Sequence, residues 1–317
     1  MGNYLLRRLL QAIPLLFGIS IISFAIMHLA PGGPLAGYIM NPKVSPADIA
    51  RLEHMWGLDQ PLYIQYLKWL AAMLQGDWGW SYRTGRPVLS MILGRLPATL
   101  YLMSTSFLLS VIIAIPAGII SAIKRYSQFD YLVTIAAFMG VALPSFWFGL
   151  MMQLVFSIKL GWLPSAGMQT IGLGFNLLDR IKYVLMPAVV LGLINMASWS
   201  RYMRSSMLEA IHQDYIITAR AKGLTNRVVI GRHALKNALI PVVTIMGLDL
   251  PAFFGGAAIT EKIFAWPGMG RLYVDAVFSR DYPILMGVLM LTAILVVFGN
   301  LLADLTYGFL DPRIKYE

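Results

Sequence analysis

Residues Glu209–Pro241 read EAIHQDYIITARAKGLTNRVVIGRHALKNALIP. It carries Arg220, Lys222, Arg227, Arg232 and Lys236, yet strongly apolar runs lie on both sides of it. A short basic connection between two apolar runs is the mark of a cytoplasmic loop in a multi-pass membrane protein. Within it, Asp214 is expected to cap a helix that begins at Tyr215, and Gly223 to end that helix in the left-handed conformation. Thr225 is expected to cap a second helix through Val228 and Val229, and Pro241 marks the start of the next span. A helix of about two turns is marginal by itself in water. It needs a surface, and Tyr215, Ile216, Ile217 and Ala219 offer a small apolar one beside Arg220 and Lys222. Composition leaves two occupants open: a socket in a partner protein, or lipid headgroups.

Working outward, the whole chain fits a membrane setting. It is 58% hydrophobic and 13% charged, with a mean hydropathy of +0.69, whereas soluble domains carry roughly a quarter charged residues. The formal charge of +10 would suit nucleic acid only on a soluble basic face. No soluble domain is evident to carry such a face, so no nucleic-acid partner is expected and the charge is read as topological. The absence of cysteine excludes disulfides and thiolate metal sites. The first apolar run, Leu9–Leu29, exceeds the roughly 7–15 residues of a signal-peptide core and lacks a clean small-residue cleavage site. It is expected to be retained as a helix.

The pattern predicts an all-α integral membrane protein with six spans, near Leu9–Leu29, Ala98–Ile123, Tyr131–Ile158, Tyr183–Met203, Leu239–Thr260 and Ile284–Tyr307. Each can cross about 30 Å of hydrocarbon. Arg7 and Arg8, Lys124 and Arg125, and the basic stretch Arg201–Lys236 fall on one side, which puts both termini in the cytoplasm. The expected organisation is an N-terminus and first span (1–29), an extracytoplasmic helical segment (30–97), a five-helix transmembrane core (98–307) with a cytoplasmic loop (204–238), and a cytoplasmic tail (308–317). In the outer segment, SPADIARLEHMWGLDQPLYIQYLKWLAAML has helical apolar spacing, with Ser45 as a cap ahead of Pro46.

Motifs along the whole chain carry a resemblance. DYIITARAKGLTNRVVIGRHALKNALIP is similar to the coupling loop of permease subunits of binding-protein-dependent ATP-binding-cassette importers, in the dipeptide, oligopeptide and nickel branch. LLRRLLQAIPLLFGISIISF, APGGP, WGLDQP, GDWGWS, RLPATL, PSFWFG, FAWPGMGRL, RDYP and the terminal DPR resemble the same branch, and the loop around TIGLGFNLLDRI looks most like that of oligopeptide permeases. Two positions depart from the pattern. Ile217-Thr218-Ala219 stands where the broader family has Glu-Ala-Ala, and Lys236 where many relatives have Pro. The resemblance implies a non-enzymatic pore subunit that moves peptides delivered by an external substrate-binding protein. Its implied partners are a second, homologous permease and two ATPase subunits, which hold the ATP and magnesium; this chain itself is expected to need no cofactor. It also implies that Asp214, Tyr215, Ile216, Thr218, Ala219, Arg220, Ala221, Lys222 and Gly223 meet an ATPase, with His233, Leu235 and Asn237 completing the loop pattern.

Other polar residues lie within the spans. Asp249 falls near the middle of the fifth, where a carboxylate must face protein or water. It either lines the substrate pathway or makes a hydrogen bond to another helix. Asn195, Gln153 and Asn300 are weaker pathway candidates, since such groups more often join helices. His28 reads as an interfacial histidine, and the 19 methionines as packing. The sequence has no G-x-x-x-x-G-K-[ST] loop, so it is not expected to bind ATP itself, and no His, Asp and Glu grouping has metal-ligand spacing. A stand-alone secondary transporter would call for inverted repeats or paired intramembrane charges. An intramembrane enzyme would call for a nucleophile and base within the spans. Nickel chelates and oligosaccharides remain open as cargo.

Overall fold

The computed structural model describes residues 2–29, 32–39, 44–249 and 252–310. The expected features at Ala30–Pro31, Pro251 and Asp311–Arg313 lie outside the described residues. All regular elements among those described are helical, with one isolated bridge between Trp80 and Pro87. They are α1 (Gly2–Leu29), α2 (Pro46–Met55), α3 (Leu62–Leu74), α4 (Val88–Ile123), α5 (Gln128–Ala142), α6 (Ser145–Met152), α7 (Leu177–Ile211), α8 (Asp214–Ala221), α9 (Leu235–Asp249), α10 (Ala252–Ile263), α11 (Met269–Ser279) and α12 (Tyr282–Leu310). Gly33–Leu35 and Ala36–Ile39 form single turns before α2.

Among the described residues, four helical stretches are long and apolar enough to cross a membrane: Arg7–Leu29, Val88–Ile123, Asn226–Asp249 and Tyr282–Leu301. The expected third span is not one straight rod. α5 and the helix from Ser145 to Lys159 meet at an angle of 111°. Pro144 explains the break. It has no N–H to continue the helix, and its ring drives Leu143 out of the helical region, so Leu143 is extended at ψ 129°. The expected fourth span lies inside α7, a 35-residue helix whose ends carry Asp179 and Arg180 at one end and Arg204 and Glu209 at the other. At 1.5 Å per residue it is about 50 Å long, longer than the roughly 30 Å of a hydrocarbon core. The expected fifth span is carried by α9 and α10, the first of which ends at Asp249.

The chain forms two compact units, Met1–Thr99 with Pro267–Phe298, and Leu100–Trp266 with Gly299–Glu317. In the first, Ser45 caps α2 as expected, and its hydroxyl and backbone engage Asp48 in a reciprocal capping box. α1 meets α3 through aromatic rings: Phe24 lies edge-on to Tyr66 at 5.4 Å and tilted to Trp69 at 5.9 Å. His28 is part of that seam, its Nε2 lying 2.9 Å from Gln65 Oε1.

In the second unit the core runs through α4, α7, α8 and α9. Trp199, Met203 and Met207 of α7 are buried there with Ala114 of α4 and Val242 of α9. Close approach depends on Gly118, where a Cβ would sit 2.6 Å from both the Ser200 carbonyl and Met203 Cβ. Small residues at a helix crossing let backbones come together where apolar lipid offers no driving force of its own. Buried serines add hydrogen bonds across the same seam, Ser106 Oγ donating to the Ala188 carbonyl at 2.9 Å.

Candidate functional site

The connection between α7 and α9 is built from the core outward. α7 ends at Ile211, and the chain turns through His212 and Gln213 into α8. Gln213, not Asp214, occupies the N-cap, and it makes no side-chain cap bond. Asp214 is instead the first helical residue, where its carboxylate favours the positive end of the helix dipole. The other end folds as the sequence predicts. Gly223 takes a φ of +77°, its N–H bonds the Arg220 carbonyl at 2.9 Å, and Leu224 N–H reaches the Ala219 carbonyl at 3.4 Å. That pair of bonds is a Schellman end, which stops the helix sharply because a residue with a Cβ is strained there. Thr225 begins the next turn, Asn226–Val228, through its backbone carbonyl, without a side-chain cap bond. A π-helical turn, Val229–Ala234, then leads into α9.

Two side chains set the orientation of α8. Ile216 is fully buried and Ala219 is 5% exposed, and both join the core formed by Met203, Met207, Val229 and Ala234. They stand three residues apart and so share one helix face. The opposite faces carry Tyr215, Ile217, Thr218, Arg220, Ala221 and Lys222, all exposed. Ile217 is 61% exposed, a large apolar side chain held up beside two cations. The apolar surface expected of this helix therefore divides: Ile216 and Ala219 are its root in its own chain, and Ile217 with Tyr215 is its presented tip. His233 is half-buried in the π-helical turn, and Asn237, exposed on α9, donates back to the His233 carbonyl at 3.2 Å.

A contact not visible in the sequence braces the same unit. Arg204 of α7 grips Asp130 of α5 through two bonds, Nε to Oδ1 at 2.7 Å and Nη2 to Oδ2 at 2.8 Å. Asp130 also accepts the Tyr126 N–H at 3.0 Å. These residues are 74 apart in sequence, so only the fold unites them. The sequence signal was limited to a serine cap, Ser127, ahead of an acid in a first helical turn.

The four candidates within the spans do not converge by hydrogen bonding. Asp249 accepts a bond from the Trp199 indole N–H at 2.8 Å, joining α9 to α7. Gln153 begins a π-helical turn, Gln153–Lys159, after α6, and its amide donates to the Ser165 and Ile263 carbonyls at 2.8 and 3.1 Å. Both of its donors are therefore spent on holding a loop and α10. Asn195 is half-buried on α7 and Asn300 exposed on α12. Among the described residues no cluster of three or more His, Asp or Glu side chains is placed to hold a metal ion.

Comparison with known proteins places this architecture. Residues 114–316 match the family described as "Binding-protein-dependent transport system inner membrane component", and residues 1–103 match its N-terminal companion, "Binding-prot-dependent transport system membrane comp, N-term". The chain is 50% identical over 317 residues, covering 100% of both proteins, to the oligopeptide transport system permease protein AppB of Bacillus subtilis (strain 168). It is 43% identical over 331 residues, 99% of each, to the dipeptide transport system permease protein DppB of Alkalihalophilus pseudofirmus. It is 38% identical over 338 residues, 100% of each, to DppB of Escherichia coli (strain K12). Among solved structures, an inward-facing form of the MetNI methionine ABC transporter superposes with a TM-score of 0.58 at 18% identity, covering 70% of this chain and 97% of that one. An amino acid ABC transporter crystallised with histidines gives 0.54 at 12% identity, covering 70% and 94%. At such identities these two speak for the fold. The family descriptions and the full-length relatives go further: this chain belongs to the inner-membrane components of binding-protein-dependent transport systems.

Proposed function

We propose that this chain is one of two homologous pore subunits of an ATP-driven peptide importer, and that α8 is the peg through which ATP hydrolysis moves the pore. The observation that carries this reading is the division of α8 into a buried root and an exposed tip. A helix this short survives only if packed, and Ile216 and Ala219 supply that packing from within the chain. Tyr215, Ile217, Thr218, Arg220, Ala221 and Lys222 are then free to seat in a cleft of an ATPase subunit. The rigid Schellman end at Gly223 makes the peg move as a unit, so closure of the ATPases biases one arrangement of α7 and α9 over another. ATP and magnesium belong to the ATPases, and this chain performs no bond chemistry.

In this reading the chain crosses the membrane six times with both termini in the cytoplasm. α5 and the bent helix after it together make one crossing, and α7 supplies another. Segment 30–97 lies outside and meets an external binding protein. Peptides are the cargo proposed, because the relatives matched over their full length are named oligopeptide and dipeptide permeases.

The absence of cysteine makes the test clean. A single cysteine at Ile217, in the assembled importer, is expected to crosslink to an ATPase subunit and to be labelled by a membrane-impermeant thiol reagent only in inside-out vesicles. Labelling from the outside, or no crosslink to any subunit in a complex that still transports, overturns the reading.

A further inference from the structure

Helices of the first unit and the turn around Asp77–Gly85 line a half-open cavity of about 560 Å³. That volume lies within the roughly 300–1,000 Å³ typical of small-molecule sites. Two aromatic clusters line it. In one, the Trp56 and Tyr82 rings stack at 5.0 Å and 11°, with Tyr38 edge-on to both at 5.5 and 6.0 Å. The other is the Phe24 and Trp69 pair from α1 and α3. Burial, reinforced by the negative charge of Asp281, pushes the Tyr82 phenol far above its ordinary range, so it stays a neutral ring.

Among the described residues the lining also includes one exposed cation and one exposed anion, Lys68 and Asp77. Lys68 Nζ donates to Gln60 Oε1 at 2.7 Å, which uses one of its three donors. Asp77 Oδ1 accepts the Gly79 N–H at 3.0 Å. A lipid tail would need neither charge, and a nucleotide would not be served by the carboxylate. Aromatic faces take aromatic side chains by stacking and ammonium groups through their quadrupole. With an ammonium donor and a carboxylate acceptor beside them, the chemistry matches a small zwitterion that carries an apolar body.

We propose that this cavity binds a short zwitterionic peptide bearing an aromatic or large apolar side chain, its carboxylate toward Lys68 and its ammonium toward Asp77. The proposal rests on the reading of the chain as a peptide permease with segment 30–97 outside. It deepens that reading by giving the permease a cargo site of its own, on the outer segment, independent of the binding protein.

The test uses the assembled importer in detergent without its binding protein, and L-phenylalanyl-L-phenylalanine as the probe. Binding is read by equilibrium dialysis and by the fluorescence of the tryptophans lining the cavity. Saturable binding is expected, together with weak or no binding of the uncharged N-acetyl amide of the same dipeptide. Lys68→Gln and Asp77→Asn are each expected to weaken it about three- to fivefold, as for exposed ion pairs; Asn at 77 keeps an acceptor for the Gly79 N–H. Trp56→Ala is expected to weaken it about tenfold or more, with Trp56→Phe retaining most of the affinity. Equal binding of the neutral amide, unchanged affinity in both charge variants, or no saturable binding overturns the proposal. So does a fluorescence change that appears only when the binding protein is added, which would make a segment of that protein the occupant. The same preparation, reconstituted with binding protein and ATP, is assayed for uptake of the dipeptide. Uptake without cavity binding removes the site alone, whereas failure to take up any peptide removes the functional reading beneath it.

Discussion

The connection Glu209–Pro241 and the turn Gly76–Val88 are both connecting segments held in fixed shapes, and they are held by opposite means. The first is fastened by hydrocarbon. Ile216 and Ala219 sit in a core of methionine, alanine and valine side chains, and the charges of the segment point away from it. The second is fastened by a carboxylate. Asp281, 2% exposed, accepts from the Ser81 hydroxyl and from the Tyr82 and Arg83 backbone N–H groups at 3.2 and 3.4 Å. Apolar fastening weakens in proportion to the area removed. A buried acceptor is less forgiving, because its loss leaves several donors without partners. A helix proposed to move with a partner is suited by the graded attachment, and a turn that keeps its shape by the stricter one.

The largest effect should therefore come from Asp281. Asp281→Ala is expected to cost about 3–5 kcal/mol, by stranding the Ser81 hydroxyl and two N–H groups. Asp281→Asn keeps one acceptor and is expected to cost about half as much. Thermal unfolding of the purified complex, followed by the environment of Trp78 and Trp80, checks both. If alanine and asparagine are equally mild, the carboxylate is not what holds the turn.

Next come paired substitutions on α8. Ile216→Ala removes a fully buried side chain and is expected to destabilise by about 2–5 kcal/mol. Ile217→Ala, on the exposed face, is expected to change stability by no more than about 0.5 kcal/mol. Function should invert the ranking per unit of stability lost. Ile217→Ala and Arg220→Glu are expected to reduce ATP-driven uptake about tenfold or more while leaving the fold intact, as for a central contact in an interface. Uptake by reconstituted liposomes, set beside melting curves, separates root from tip. Equal melting losses at 216 and 217 would erase the distinction on which the proposed coupling stands.

How much of this could be read beforehand follows from the range of each interaction. The apolar runs behind α1, α4 and α12 are legible because span length is a local property of composition. The third expected span is equally apolar, and hydropathy carries no direction, so Tyr131–Ile158 reads as one rod. Pro144 was the available signal, since the residue before a proline avoids the helical region. In the connection between α7 and α9, Gly223 declares itself because few residues but glycine take φ +77° without strain. Which of Tyr215, Ile216, Ile217 and Ala219 turns inward is not local, because it depends on where Met203 and Met207 arrive. The clamp on Ser81 lies 200 residues away in sequence, and no periodicity or motif spacing announces it. Asp249 was legible as a residue in need of a partner, but Trp199 as that partner was not.

A smaller effect sharpens the comparison at the end of α8. Gly223→Ala places a Cβ on a left-handed residue and is expected to cost about 1–2 kcal/mol. Nothing lies within 4 Å of the added carbon, so the whole loss is backbone strain and not a clash. Gly223→Asn, which tolerates that conformation better, should recover part of it. Melting temperatures in the order Gly, Asn, Ala support the Schellman end as the stop of the peg, and an alanine variant as stable as glycine would show that the end is free to relax.

The smallest effect lies in the first unit, at the capping box of α2, and it is one of pH. The Ser45 hydroxyl and backbone N–H, with Arg51 nearby, hold the Asp48 carboxyl below its usual range despite some opposing desolvation. A depressed folded value means that the carboxylate is preferred in the folded state. Its contribution is complete above the ordinary carboxylate value of about 4 and fades as pH falls through the lower folded value. Because the site is fully exposed, solvent screening keeps the contribution small. Protection of the α2 amides against hydrogen exchange should therefore decline modestly below about pH 4, while protection at α8, fastened by hydrocarbon, should hold over the same interval. Asp48→Asn removes the titrating group and should flatten the α2 profile. If α8 loses protection together with α2, the acid response belongs to the whole chain, and apolar fastening gives the connection between α7 and α9 no immunity to pH.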